Sequence, residues 1–61
     1  MNELDVVKLR CNFNGIQSGT VGTIVLKYDD ENYEVEFFDK NGDTIDVLTI
    51  SKDFLELVSR Y

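Results

Sequence analysis

The sequence predicts a small all-β barrel of five short strands, with a single 3-10 turn before the last. Three observations carry this. Tyr33-Glu-Val-Glu-Phe37 alternates apolar and polar residues without a break, the period-two pattern of a strand with one buried face. Just before it, Gly19-Thr-Val-Gly-Thr-Ile-Val-Leu-Lys-Tyr28 is a glycine-punctuated run of β-formers, joined to the first by the polar turn Asp29-Asp-Glu-Asn32. A second turn, Asp39-Lys-Asn-Gly-Asp43, follows, because Asn-Gly readily takes the positive φ angles of tight hairpins.

The other elements fall around this hairpin pair. Residues 4–10 form the first strand, with Val7 and Leu9 on one parity and Leu4 and Val6 on the other. Residues 11–20, rich in Asn, Gly and Ser, are a loop. Its apolar members Phe13 and Ile16 either pin it to the barrel or present it to a partner. Gly22 suits a bulge or a tight bend at a barrel corner. Residues 23–28, 33–38 and 44–50 are strands two, three and four.

Two arrangements are open for residues 51–58. Ser51 can cap a helix that places Phe54, Leu55 and Val58 on one face. The alternative is a 3-10 turn at residues 51–54 and a closing strand at 55–58. The second is favoured, because a barrel needs a final strand to remove its exposed edge. This succession is that of an SH3-like barrel, and it occupies residues 1–61 as one domain.

Size bounds the function. Sixty-one residues lie near the lower limit for folding without staples, and the 43% hydrophobic content is not that of a disordered chain. A pocket on the order of 300 Å³ would hollow out so thin a core, which favours a binding surface over a buried active site. The net charge is −6, from twelve acidic and six basic side chains, and the lysines and arginines form no run. Nucleic acid, which binds basic stripes, is not the expected partner. Acidity serves solubility or favours a basic protein partner.

Cys11 is the single cysteine, so no internal disulfide is expected, and a reducing cytoplasm is the expected location. No apolar run approaches the ~18 residues of a membrane span, and no basic-then-apolar leader pattern opens the chain. No membrane partner is expected.

Catalysis is not expected either. Without histidine there is no Ser-His or Cys-His nucleophile pair and no histidine-ligated zinc site. The acids of the two turns (Asp29, Asp30, Glu31, Asp39, Asp43) sit where solvated hairpin acids normally sit, with no spacing that implies a pocket. Residues 39–43 lack the distal glutamate and flanking helices of a calcium loop. Gly15, Gly19 and Gly22 lack the lysine and following helix of a phosphate cradle. The expectation is no enzyme, no metal and no cofactor.

Apolar residues of the wrong parity are the more informative feature. If Tyr33, Val35 and Phe37 point inward, Phe38 points outward, and Val6/Val7, Ile24/Val25 and Val47/Leu48 pose the same problem. Either the strands coil and bulge while the C-terminal segment covers part of the outside, or an apolar face is left for a partner. The second arrangement makes Phe38 and Tyr28 aromatic anchors, with Val25 and Phe13 beside them and Glu34, Glu36 and Asp46 as an acidic rim.

Leu4-Asp-Val-Val-Lys-Leu9, Gly19-Thr-Val-Gly-Thr-Ile-Val25, Tyr33-Glu-Val-Glu-Phe37, Gly42-Asp-Thr44 and Leu48-Thr49, in that order, resemble the small bacterial family called domain of unknown function 4926. The likeness covers nearly the whole chain; its motifs are weak singly and fairly specific together. That family is similar in pattern to the SH3-like barrels found among the small components of photosystem I and the accessory proteins of nitrile hydratase, which implies a binding or assembly role. One departure stands out: the first loop is Asn12-Phe-Asn-Gly-Ile16, where members usually carry an acidic, proline-containing stretch before Gly-Leu. The resemblance also implies the small acidic half of a two-gene bacterial module.

The expected function is therefore a non-catalytic protein-binding or assembly module of bacterial type, with a larger, basic protein as partner. An acidic antitoxin or immunity protein is the first alternative, and a nucleic-acid-binding barrel the second. Self-association through a sheet edge is compatible with each.

Overall fold

The alternation at residues 33–37 is realised in full. In the computed structural model, which describes residues 1–61, Tyr33, Val35 and Phe37 are buried while Glu34 and Glu36 are half-exposed. They lie on β3 (Asn32–Phe38), which pairs antiparallel with β2 (Val21–Lys27) on one side and β4 (Thr44–Ser51) on the other. β1 (Val6–Leu9) pairs with β2 and with β5 (Leu55–Ser59), giving one five-stranded sheet in the order β4-β3-β2-β1-β5.

A 3-10 turn, Lys52–Phe54, connects β4 to β5, so the second of the two C-terminal arrangements is the one adopted. Ser51 caps that turn: its Oγ accepts the Asp53 N–H at 3.2 Å. Strand order and turn together make an all-β, SH3-like barrel with no α-helix. No helix is long and apolar enough to cross a membrane.

The core lies on one side of the sheet. Val7 and Leu9 of β1, Ile24 of β2, the three β3 residues, Ile50 of β4 and Leu55 of β5 are buried together with Ile16 of the first loop. Each large aliphatic or aromatic side chain so buried contributes about 1.5–3 kcal/mol, against a chain entropy of similar total size.

Four details differ from what periodicity implies. The closing strand β5 shields the edge of β1, and β4 remains an uncovered edge at the far side of the sheet. The C-terminal strand therefore does not cover the outside of β2–β4. Gly22 does not sit at a bulge: it pairs in register with Phe37, and a Cβ there would meet Val35 Cγ1 at 2.7 Å and the Glu36 carbonyl oxygen at 2.9 Å. Glycine is needed because the Val35 and Phe37 side chains of the neighbouring β3 close over this position.

The tight Asn-Gly hairpin occurs in the first loop. Phe13 and Ile16 exchange main-chain hydrogen bonds of 2.9 and 2.8 Å around Asn14 (φ 51°) and Gly15 (φ 83°), the double positive-φ turn that Asn-Gly favours. At the second Asn-Gly only Gly42 has positive φ (86°), and Asp39 Oδ1 accepts the N–H groups of Asn41 and Asp43 at 2.9 and 3.0 Å.

A candidate protein-binding face

The outer face of β2–β3–β4 carries what the core leaves over. Registers place Thr23, Glu36 and Val47 in one cross-strand row and Leu26, Glu34 and Thr49 in the next. Two hydroxyls hold the carboxylates of these rows. The Tyr28 phenol donates to Glu34 Oε1 at 2.7 Å, and Thr44 Oγ1 donates to Glu36 Oε2 at 2.6 Å. Both are charge-assisted bonds that fix the acids on the face. Hydrogen bonding to Glu34 raises the Tyr28 pKa, because the carboxylate favours the protonated phenol.

One step beyond the Gly22–Phe37 pair lie Val21 and Phe38. With Ile45 they form the apolar lining of an open groove of about 500 Å³ between residues 17–21 and the β3–β4 turn, where Asp39 and Lys40 contribute polar groups. Val21 is 44%, Ile45 48% and Val47 45% exposed, while Phe38 is half-buried. These side chains with Leu26 and Tyr28 make the apolar component of the face; they are large, and nothing in the fold covers them.

Of the sequence-predicted site residues, the structure brings Phe38, Tyr28, Glu34 and Glu36 to this face. Val25 lies at the register shift between Ile24 and Leu26 and is exposed. Phe13 lies elsewhere: it is half-buried against the core, with its ring centroid 5.3 Å from that of Phe54. It pins the first loop rather than standing free. Periodicity missed Val21 and Ile45. Alternation carries no signal for Ile45, because the register shift between the Phe37–Asp46 and Phe38–Thr44 pairs falls at that residue.

Charge is divided between the two halves of the chain. Eight of the twelve acids but only two of the six cations lie between Val21 and Ser51, so this half carries the whole net charge of −6. One of its two cations, Lys27, is 3.4 Å from Asp30. Some of the acids are structural: Asp29 Oδ1 accepts the N–H groups of Glu31 and Asn32, each at 2.8 Å, and those bonds hold its carboxyl below the usual range. Glu31 in turn pairs with Lys52 at 3.4 Å and raises the lysine's pKa. Glu34, Glu36, Asp43 and Asp46 remain without a cationic partner.

No group of three or more potential metal ligands converges anywhere on the chain. No curated protein and no solved structure matches this chain. One family model does, over residues 3–57, and its description is a domain of unknown function, DUF4926. With nearly its full length inside that match, the chain belongs to the DUF4926 family.

Proposed function

We propose that this chain is a non-catalytic protein-binding or assembly module of a bacterial cytoplasm. It acts through the outer face of β2–β3–β4 on a larger, basic protein. The observation that carries the proposal is the coincidence on one face of exposed apolar side chains (Val21, Ile45, Val47) with Glu34 and Glu36, carboxylates that have no cationic partner. Apolar centres rimmed by one sign of charge are how interfaces combine affinity with partner choice. The opposite half, with β1 and β5, has balanced charge and its own Lys8–Glu56 pair at 3.7 Å.

The test is affinity capture from an extract of the native cells, comparing wild type with Phe38→Ala and Tyr28→Ala. Wild type retains one stoichiometric partner with a basic surface, and both variants, still folded, retain less of it. Full retention by both variants removes the face from the account.

A second function draws on the same charge division. An acidic antitoxin or immunity protein masks the basic active site of a toxin, and the concentration of carboxylates in one half favours that use. Co-expression separates the two: rescue of growth from a toxic captured partner supports inhibition, and a harmless partner supports assembly.

A further inference from the structure

We infer that β4 accepts a cationic, extended segment of the partner as a sixth strand, an inference that rests on the binding function just proposed. β4 is eight residues long and borders no other strand on its outer side. Lys52 N–H donates to the Glu31 carbonyl at 2.8 Å, and this pair continues the register of Tyr33 with Ile50. Antiparallel ladders alternate bonded and non-bonded pairs, so Glu34–Thr49 and Glu36–Val47 are non-bonded. The main-chain groups of Val47 and Thr49 therefore face the open edge.

Proteins usually blunt such an edge with lysine, proline or a covering segment. β4 contains no lysine, arginine or proline. Its register shift lies at one end, where Phe38 meets Thr44. Its single device is Asp46, whose Oδ1 accepts the Val47 N–H at 2.8 Å. That carboxylate occupies the donor an incoming strand needs, and it repels an acidic strand. A cation on the incoming strand draws Asp46 away and frees the Val47 N–H. The edge thereby selects by charge.

Register gives the sequence pattern of the ligand. Val47 and Thr49 share the outer face, and Asp46, opposite Phe37, lies on the other parity. A strand added along this edge places alternate residues beside Val47 and the intervening ones beside Asp46. Alternating apolar and cationic residues fit both. A second copy of this chain fits poorly, because it brings the same acidic half against itself.

The other edge is a weaker candidate. β5 has five residues, and Lys8, Arg10 and Arg60 lie on β1 or beyond the strand ends, so its surroundings lack the acidic excess.

The test uses the whole chain and three short synthetic peptides: alternating lysine and valine, the same with glutamate for lysine, and the lysine peptide N-methylated at alternate residues. The readout is amide exchange and chemical shift, residue by residue. The lysine peptide protects the Val47 and Thr49 amides and leaves β5 unchanged. The glutamate and N-methylated peptides bind about tenfold more weakly or not at all, having lost the charge or the ladder bonds. Asp46→Asn keeps an acceptor for the Val47 N–H and weakens the lysine peptide.

Equal binding of the N-methylated peptide overturns strand addition. So does protection along β5, the absence of binding, or protection of Val47 and Thr49 that grows with the chain's own concentration and no peptide. Loss of partner capture on Phe38→Ala with β4 silent to the lysine peptide leaves the face standing and removes the edge. Failure of capture with β4 responding does the reverse.

Discussion

The carboxylate of Asp5 accepts the main-chain N–H of Tyr61 at 2.9 Å, tying together residues 56 positions apart. Its other oxygen accepts the Asn2 N–H at 2.9 Å, so one buried acid fastens both ends of the chain beside β1. The Tyr61 N–H, then the Asn2 N–H, holds the Asp5 carboxyl below the usual carboxylate range. A depressed folded-state pKa stabilises the fold above the ordinary carboxylate value, and that contribution disappears as pH falls through the lower, folded-state value. Asp5→Ala is expected to lower Tm at neutral pH and to speed exchange at the Tyr61 amide. The wild-type and variant Tm values then converge in acid; a gap independent of pH contradicts this.

Phe37 and Phe38 are neighbours with opposite fates. Phe37→Ala opens a cavity in the core and is expected to cost about 3–5 kcal/mol, most of the stability of so small a domain. Phe38→Ala, on the outer face, is expected to cost no more than about 1 kcal/mol. Urea titrations of the two variants measure both, and similar costs contradict the assignment of faces.

Two glycines test different physics. Gly22→Ala forces a methyl into Val35 and the Glu36 carbonyl, an overpacking expected to cost about 1–3 kcal/mol. Gly42→Ala meets nothing within 4 Å but must hold φ near 86°, a backbone strain of about 1–2 kcal/mol. Gly42→Asn, which tolerates positive φ, recovers part of the second loss and supplies the control. No such recovery contradicts the backbone origin.

Tyr28 supplies a spectroscopic signature of the face. Its raised pKa comes first from the bond to Glu34, so Tyr28 is expected to titrate above the ordinary phenol value. Glu34→Gln returns it toward that value in an absorbance titration with alkali. Since the folded state favours the neutral phenol, this contribution is complete below the ordinary value and vanishes as pH rises through the raised one. An unchanged titration in Glu34→Gln contradicts a carboxylate origin.

Alternation in residues 33–37 and the turn chemistry on either side are enough to read the strands and the SH3-like order from the sequence, whereas Ser51 fits a helix cap as well, and the 3-10 turn follows only from the barrel's need of a closing strand. What periodicity could not supply is long-range and sub-periodic. The Asp5–Tyr61 bond has no local signature, and polar Asp5 shares the buried parity of Val7 and Leu9. Register shifts after Ile24 and after Phe37 reset parity mid-strand, which is why Val25 and Leu26 are both exposed and why Ile45 joins the groove. Four of the six candidate site residues share the face because Tyr28, Glu34, Glu36 and Phe38 precede or follow those shifts in step. Phe13 did not join them, because Asn14-Gly15 folds its loop back onto Phe54.

The proposed function assigns binding to β2–β4 and not to β1–β5. The most direct measurement is capture from native extract by three baits: wild type, Val47→Lys and Val58→Lys. Both valines are exposed on their strands, so each variant changes surface and not core. Wild type and Val58→Lys are expected to hold the same stoichiometric partner, and Val47→Lys to lose it. Retention by Val47→Lys with loss by Val58→Lys, or no stoichiometric partner on the wild-type bait, contradicts that assignment.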